Sequence, residues 1–228
     1  MDEKHNLYVI NPNSSEAVTL GIQASMAPLE SMGRIICLTN SLGPKGIESQ
    51  AQADQTIPQT LALAAQVEDQ ATAFVIACFG DPGLHALRDQ TAKPVLGIQE
   101  SAIMTALTLG QRFGIIAILP TSIPRHLRSI GAMGVQSRLA GDRALNLGVA
   151  DLQVAGKTQD RMIKVGRDLI EKDGADVLIM GCAGMARFRL PLEEALGVPV
   201  VEPCQAAVAM ALPRIPLKQY HKVGDRHA

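Results

Sequence analysis

Apolar residues in this chain cluster in short runs, and the stretches between them carry apolar positions at helical spacing. The runs lie within 7–10, 34–38, 73–78, 95–98, 113–119 and 177–180. Uninterrupted runs of this length predict strands buried on both faces of a parallel sheet. The intervening segments predict helices over about 14–28, 49–70 and 100–109, after Pro124, over 160–172, and from Pro203 to about residue 212. Asn13 and Glu16 have the spacing of a capping box at the start of the first helix. Between 131 and 157, five glycines interrupt any period and leave one predicted strand near Val135. The tail from Pro213 reads as a polar, fraying terminus.

Two of these runs end alike. Residues 73–84 carry a strand into Cys78-Phe79-Gly80-Asp81-Pro82-Gly83, and residues 177–184 carry another into Cys182-Ala183-Gly184. The cysteines are 104 residues apart (182 − 78). The pairs Pro94-Val95 and Pro199-Val200 are 105 apart (199 − 94), and Pro12 and Pro120, each just after a strand, are 108 apart (120 − 12). A near-constant offset across three elements is an internal duplication. The fold class is therefore α/β: two pseudo-symmetric open lobes with mostly parallel sheets and the active site in the cleft between them. Lobe one spans 1–98, completed by the C-terminal helix and tail at 205–228, and lobe two spans 99–204.

Composition narrows the possible functions. The 228 residues are 47% hydrophobic, enough for a substantial core, with a net charge of −1 and no basic stripe. Aromatics are 3% with no Trp, so base-stacking platforms are missing and nucleic acid is not an expected partner. No apolar run reaches membrane-spanning length and no leader pattern opens the chain, so the expectation is a cytoplasmic protein without membrane contact. Four cysteines, at 37, 78, 182 and 204, lack metal-site or redox-pair spacing and are expected as free thiols. No metal is expected. Cys37 and Cys204 are expected to pack, and His85 and His126 to be surface or packing residues.

Both remaining thiols end a strand ahead of a glycine turn, where open α/β sheets place ligands. Facing one pocket from opposite sides, Cys78 and Cys182 suit the inversion of a carbon acid beside a carbonyl. One group removes the proton from one face, the other delivers a proton to the opposite face, and no cofactor is needed. The role calls for a thiol brought from its ordinary range toward neutrality, one thiolate facing one thiol. Backbone N–H groups of Phe79, Gly80, Ala183 and Gly184 are candidates to hold an enolate-like oxygen. Asn11, at a strand's carboxyl end, is a candidate to offer its amide to a ligand. The loop 39–50, with Gly43-Pro44-Lys45-Gly46, is a candidate cover for the pocket.

The segments Ile10-Asn11-Pro12-Asn13-Ser14-Ser15, Ala77-Cys78-Phe79-Gly80-Asp81-Pro82-Gly83-Leu84 and Gly181-Cys182-Ala183-Gly184-Met185-Ala186 resemble the aspartate/glutamate/hydantoin racemase superfamily. Within it they are most similar to the hydantoin and allantoin racemase branch. The resemblance implies cofactor-independent two-base racemisation with Cys78 and Cys182 as the bases. Glutamate racemases carry Cys-Asn-Thr and Gly-Cys-Thr-His at these points. Cys-Phe-Gly and Gly-Cys-Ala-Gly here favour a cyclic ureide, a 5-substituted hydantoin or an allantoin-like compound. The chain departs from the branch at Ala117-Ile118, where Thr-Thr is usual, and at Glu202-Pro203-Cys204, where Asp-Gly-Val is usual. Aspartate or glutamate racemisation, maleate isomerisation or malonate decarboxylation on the same scaffold remain alternatives, as does a non-catalytic small-ligand-binding protein. A small-molecule substrate is the expected partner, and homo-oligomer formation stays open.

Overall fold

A computed structural model describes residues 6–153 and 155–221 of the chain. Two four-stranded parallel sheets carry the fold. The first is built from β1 (Asn6–Asn11), β2 (Arg34–Thr39), β3 (Ala73–Ile76) and β4 (Val95–Gly97), in the order β2-β1-β3-β4. The second is built from β5 (Phe113–Ala117), β6 (Leu139–Ala144), β7 (Val177–Met180) and β8 (Val200–Val201), in the order β6-β5-β7-β8. The order is the same after a shift of four strands. Ile10 lies opposite Ile76 in the first sheet, and Ile116 opposite Met180 in the second. Each cysteine of interest follows two residues after its strand, so the duplication places both at the same point of their lobes.

Side-chain alternation along the strands divides the core. Leu7, Val9, Ala73 and Val75 face a large cluster that continues into the second sheet through Ile115, Val177 and Ile179. Tyr8, Ile10, Phe74 and Ile76 point the other way, onto α3 (Ile57–Val67) and α4 (Leu84–Gln90). Full burial of a side chain such as Phe74 contributes about 1.5–3 kcal/mol. Between the sheets, α5 (Ile98–Leu109) packs on α9 (Pro203–Ala211). The first rests on β7 and β8, the second on β3 and β4. Each of these helices leaves one sheet and packs against the other, which joins the two halves into one core.

Two further helices cross over. α1 (Glu16–Ser25), from the first half, packs against the segment after Cys182, and α6 (Ile123–Ala132), from the second, reaches the turn after Cys78. Each cysteine turn is thus covered by a helix of the opposite half.

Several elements differ from expectation. The long helix over 49–70 is broken into α2 (Gln50–Gln55) and α3, because Pro58 has no N–H to donate and its ring crowds the preceding turn. α1 ends at Ser25 and continues after Met26 as a 3₁₀ segment, Ala27–Met32. Its N-cap is Ser15, whose Oγ accepts from the Val18 N–H, and not Asn13, whose Oδ1 is held by Asn11 and the Ser15 N–H. No strand forms at Val135, which precedes a 3₁₀ turn over Gln136–Arg138; the strand of this region is β6, a half-buried edge strand whose Leu-Ala-Gly-Asp-Arg-Ala sequence has no apolar alternation. The tail docks as far as residue 221. Ile215 is buried, the His221 N–H donates to the Ala92 carbonyl, and His221 Nε2 accepts from the Val95 N–H. The remainder of the tail, like Met1–His5, lies outside the described residues.

Candidate active site

The turn after β3 is fixed by a carboxylate. Asp81 sits at φ 48° and donates its N–H to the Cys78 carbonyl, and its side chain accepts from the Gln99 and Glu100 N–H groups at 2.9 Å each. Those are orphan donors of the first turn of α5, so one side chain ties the cysteine turn to a helix start. Gly97 makes this possible, because a Cβ there would stand 2.6 Å from Asp81 Oδ1 and closer still to the rest of the carboxyl group. Burial pushes the Asp81 carboxyl up to about 7, against the lowering effect of its two backbone donors. The second half uses a different residue for the matching task. Glu202 caps α9 by accepting from the Cys204 and Gln205 N–H groups, and burial likewise pushes it up to about 7.

Cys78 and Cys182 line one narrow cleft between the two halves. Phe79, Ala183 and Gly184 line it too, from the paired turns, with Asn13 and Val18 from the first half and Ile118, Ser122, Arg125, His126 and Val149 from the second. Ile47, from the 40–49 loop, closes part of the rim. That loop bridges the halves: the Thr121 hydroxyl donates to the Glu48 carbonyl, and the Glu48 carboxylate accepts from the Val149 N–H at 2.9 Å.

Three expectations need correcting. Asn11 is fully buried beneath the cleft. Its amide donates to Asn13 Oδ1, the Ser15 carbonyl and Thr19 Oγ1, and its oxygen accepts from the Asn13 N–H, so it serves the turn, and Asn13 is the residue that reaches the cleft. Gly80 lines an adjoining cavity beside Pro82 and Arg128 and is not part of the two-thiol cleft. The thiols are not brought toward neutrality. Enclosure pushes Cys78 up to about 12, and Cys182 adds to that while the Arg125 charge opposes it. Enclosure pushes Cys182 up to about 11, opposed by the Gly184 N–H, which donates to its Sγ at 3.4 Å. Burial outweighs the neighbouring donors, so in the free site both groups rest as neutral thiols at ordinary pH.

Sequence reasoning also missed a pair of polar residues on α6. His126 is 1% exposed, its Nδ1 lies 2.8 Å from Asp142 Oδ2, and its ring meets Phe79 edge-on with centroids 4.8 Å apart. Arg125, 9% exposed, donates from Nη2 to the Ser122 hydroxyl. His85 is exposed, as expected. Cys204 is fully buried away from the cleft, and Cys37 is half-buried against the core. Among the described residues no cluster of three His, Cys, Asp or Glu has the arrangement of a metal site. No helix among them is long and apolar enough to cross a membrane.

Comparison with known proteins gives a consistent picture. The family model described as Asp/Glu/Hydantoin racemase matches residues 7–211. The hydantoin racemase of Pseudomonas sp. (strain NS671) is 37% identical over 206 residues, covering 89% of this chain and 83% of that protein. The hydantoin racemase of Paenarthrobacter aurescens is 36% identical over 213 residues, covering 90% and 89%. Among solved structures, the allantoin racemase from Klebsiella pneumoniae superposes with a TM-score of 0.92 at 29% identity, over 96% of this chain and 90% of that one.

Proposed function

From the premise that this chain belongs to the Asp/Glu/Hydantoin racemase family, we propose that it racemises a 5-substituted hydantoin or an allantoin-like cyclic ureide by two-base chemistry. The observation that carries the reading is the convergence of Cys78 and Cys182 on one small cleft from equivalent points of the two halves.

In this reading the ring lies between the sulfurs. One sulfur, as thiolate, takes the proton from the stereocentre on its side. The electron pair passes into the adjacent carbonyl as an enolate, and the other sulfur, as thiol, gives its proton to the opposite face. The two cysteines exchange protonation states, and the reverse reaction runs with their roles exchanged. Each face has one supporting group: the Gly184 N–H for Cys182 and the Arg125 charge for Cys78. The Phe79 and Ala183 amides, just after the cysteines, are left for the enolate oxygen. The chemistry needs no cofactor, and the enclosing walls exclude water that would otherwise compete for the carbanion. A second intact thiol favours racemisation over the alternatives on this scaffold that need only one.

Incubating an enantiopure 5-substituted hydantoin with the protein in deuterated water tests the proposal. Optical rotation should decay while the hydrogen at C5 is replaced by deuterium. Binding without exchange would show a ligand-binding protein and end the racemase reading.

A further inference from the structure

Among the described residues Arg125 has no matching anion. Its side chain lies in the wall of the two-thiol cleft, and it is among the few charged residues that are nine-tenths buried among those described. Its one hydrogen bond among the described residues runs from Nη2 to the neutral hydroxyl of Ser122, at 3.3 Å, and Nε has no partner among them. None of the ion pairs among the described residues includes it. The nearby acidic groups are otherwise engaged. Asp142 is paired through Oδ2 with His126, its buried Oδ1 having no partner among the described residues, Asp81 is held by the start of α5, and Asp54, across the adjoining cavity, accepts from Gln50. A guanidinium is a fixed positive charge, and its planar fork of donors matches a carboxylate two bonds at a time. A buried charge ordinarily persists only where something pairs it.

We propose that Arg125 is a substrate anchor, and that the compound turned over here carries a carboxylate on the substituent at its stereocentre, as in 5-(2-carboxyethyl)hydantoin. The inference rests on the racemase reading and extends it to the class of side chain. The carboxylate supplies the missing counter-charge, fixes the ring's position between Cys78 and Cys182, and selects against neutral substituents of the same shape. Proximity of the same guanidinium to Cys78 suggests the competing role, support of the thiolate alone, and the two roles separate experimentally.

The test compares three enantiopure substrates: 5-(2-carboxyethyl)hydantoin, its near-isosteric carboxamide, and neutral 5-isobutylhydantoin. Racemisation is followed by polarimetry in the wild type and in Arg125→Met. In the wild type, kcat/KM for the acid should exceed that for the amide by about tenfold or more, a comparison that needs no variant to fold. In Arg125→Met all three substrates lose what the charge contributes to Cys78, and kcat/KM for the acid should fall at least about tenfold further than for the two neutral substrates, as expected for loss of one partner of a buried charge pair. Arg125→Lys should restore part of the acid's advantage. Equal rates on acid and amide in the wild type, or a uniform loss across all three substrates in the variant, would overturn the anchor. Racemisation of neutral hydantoins alone would refute the anchor and leave the racemase standing. Turnover of none would remove both.

Discussion

Gly97 and Asp81 offer a sharp quantitative test of how the first cysteine turn is held. Asp81→Ala removes two acceptors from the first turn of α5. A hydrogen bond to a charged group contributes about 1.5–3 kcal/mol. The pair is discounted here because the residue is only half-buried and burial favours the protonated carboxyl, leaving about 2–4 kcal/mol for the two. Gly97→Ala should cost nearly as much by a different route. Its backbone is extended, at φ −92° and ψ 147°, so alanine introduces no strain of its own, but its Cβ would occupy the space of the Asp81 carboxyl and force it off both N–H groups. With Asp81→Ala already present that obstacle is gone, and Gly97→Ala should be neutral or stabilising by about 0.4–1 kcal/mol through the unfolded chain. The two substitutions should therefore be coupled by about 2–4 kcal/mol. At about 2–4 °C per kcal/mol, each single variant should melt roughly 4–16 °C lower. Urea unfolding of the four proteins at constant m value measures the coupling directly. Because the Asp81 N–H also holds the Cys78 carbonyl, either single variant should lose about a hundredfold in kcat/KM through misplacement of the sulfur. Additivity within about 0.5 kcal/mol would refute the interlock.

Two predictions concern pH. With Cys78 pushed up to about 12 and Cys182 to about 11, kcat/KM, which reports the free enzyme, should climb from pH 7 through pH 9.5; a plateau beginning near pH 7 would show that neighbouring donors outweigh burial. Asp81 and Glu202 bind protons more tightly in the folded than in the unfolded protein, so their contribution is complete below the ordinary carboxyl range and lost as pH rises through about 7. The melting temperature should fall between pH 4.5 and 7, with a shallower slope in Glu202→Gln; a flat or rising profile would contradict the assigned burial.

The strands that build the site were legible because both faces of each are covered, so Ala73–Ile76 and Val177–Met180 read as unbroken apolar runs, and the repeat of both together exposed the duplication. β6 was not legible, since an edge strand covered on part of its surface needs no apolar alternation. Pro58 marked the helix break in plain sight, as a residue unsuited to a helix interior. The face of α6 reads inside out at its start: Arg125 and His126 are buried against the cleft between the halves while Leu127 is 38% exposed, and only Ile130, further along, reaches the core. Two adjacent basic residues opposite a leucine were a signal, but only the crossover of α6 gives it meaning. The acidity of the thiols depends on enclosure by residues from 13 to 149, which no local motif can encode.

The account stands on the claim that each sulfur serves one face of the substrate. Solvent deuterium incorporation at C5, measured by NMR for each enantiomer separately in Cys78→Ala and Cys182→Ala, addresses it most directly. Each variant should fail to racemise and should exchange one enantiomer with retention, the two variants choosing opposite enantiomers. Racemisation near the wild-type rate in either variant, or exchange of the same enantiomer by both, would contradict it.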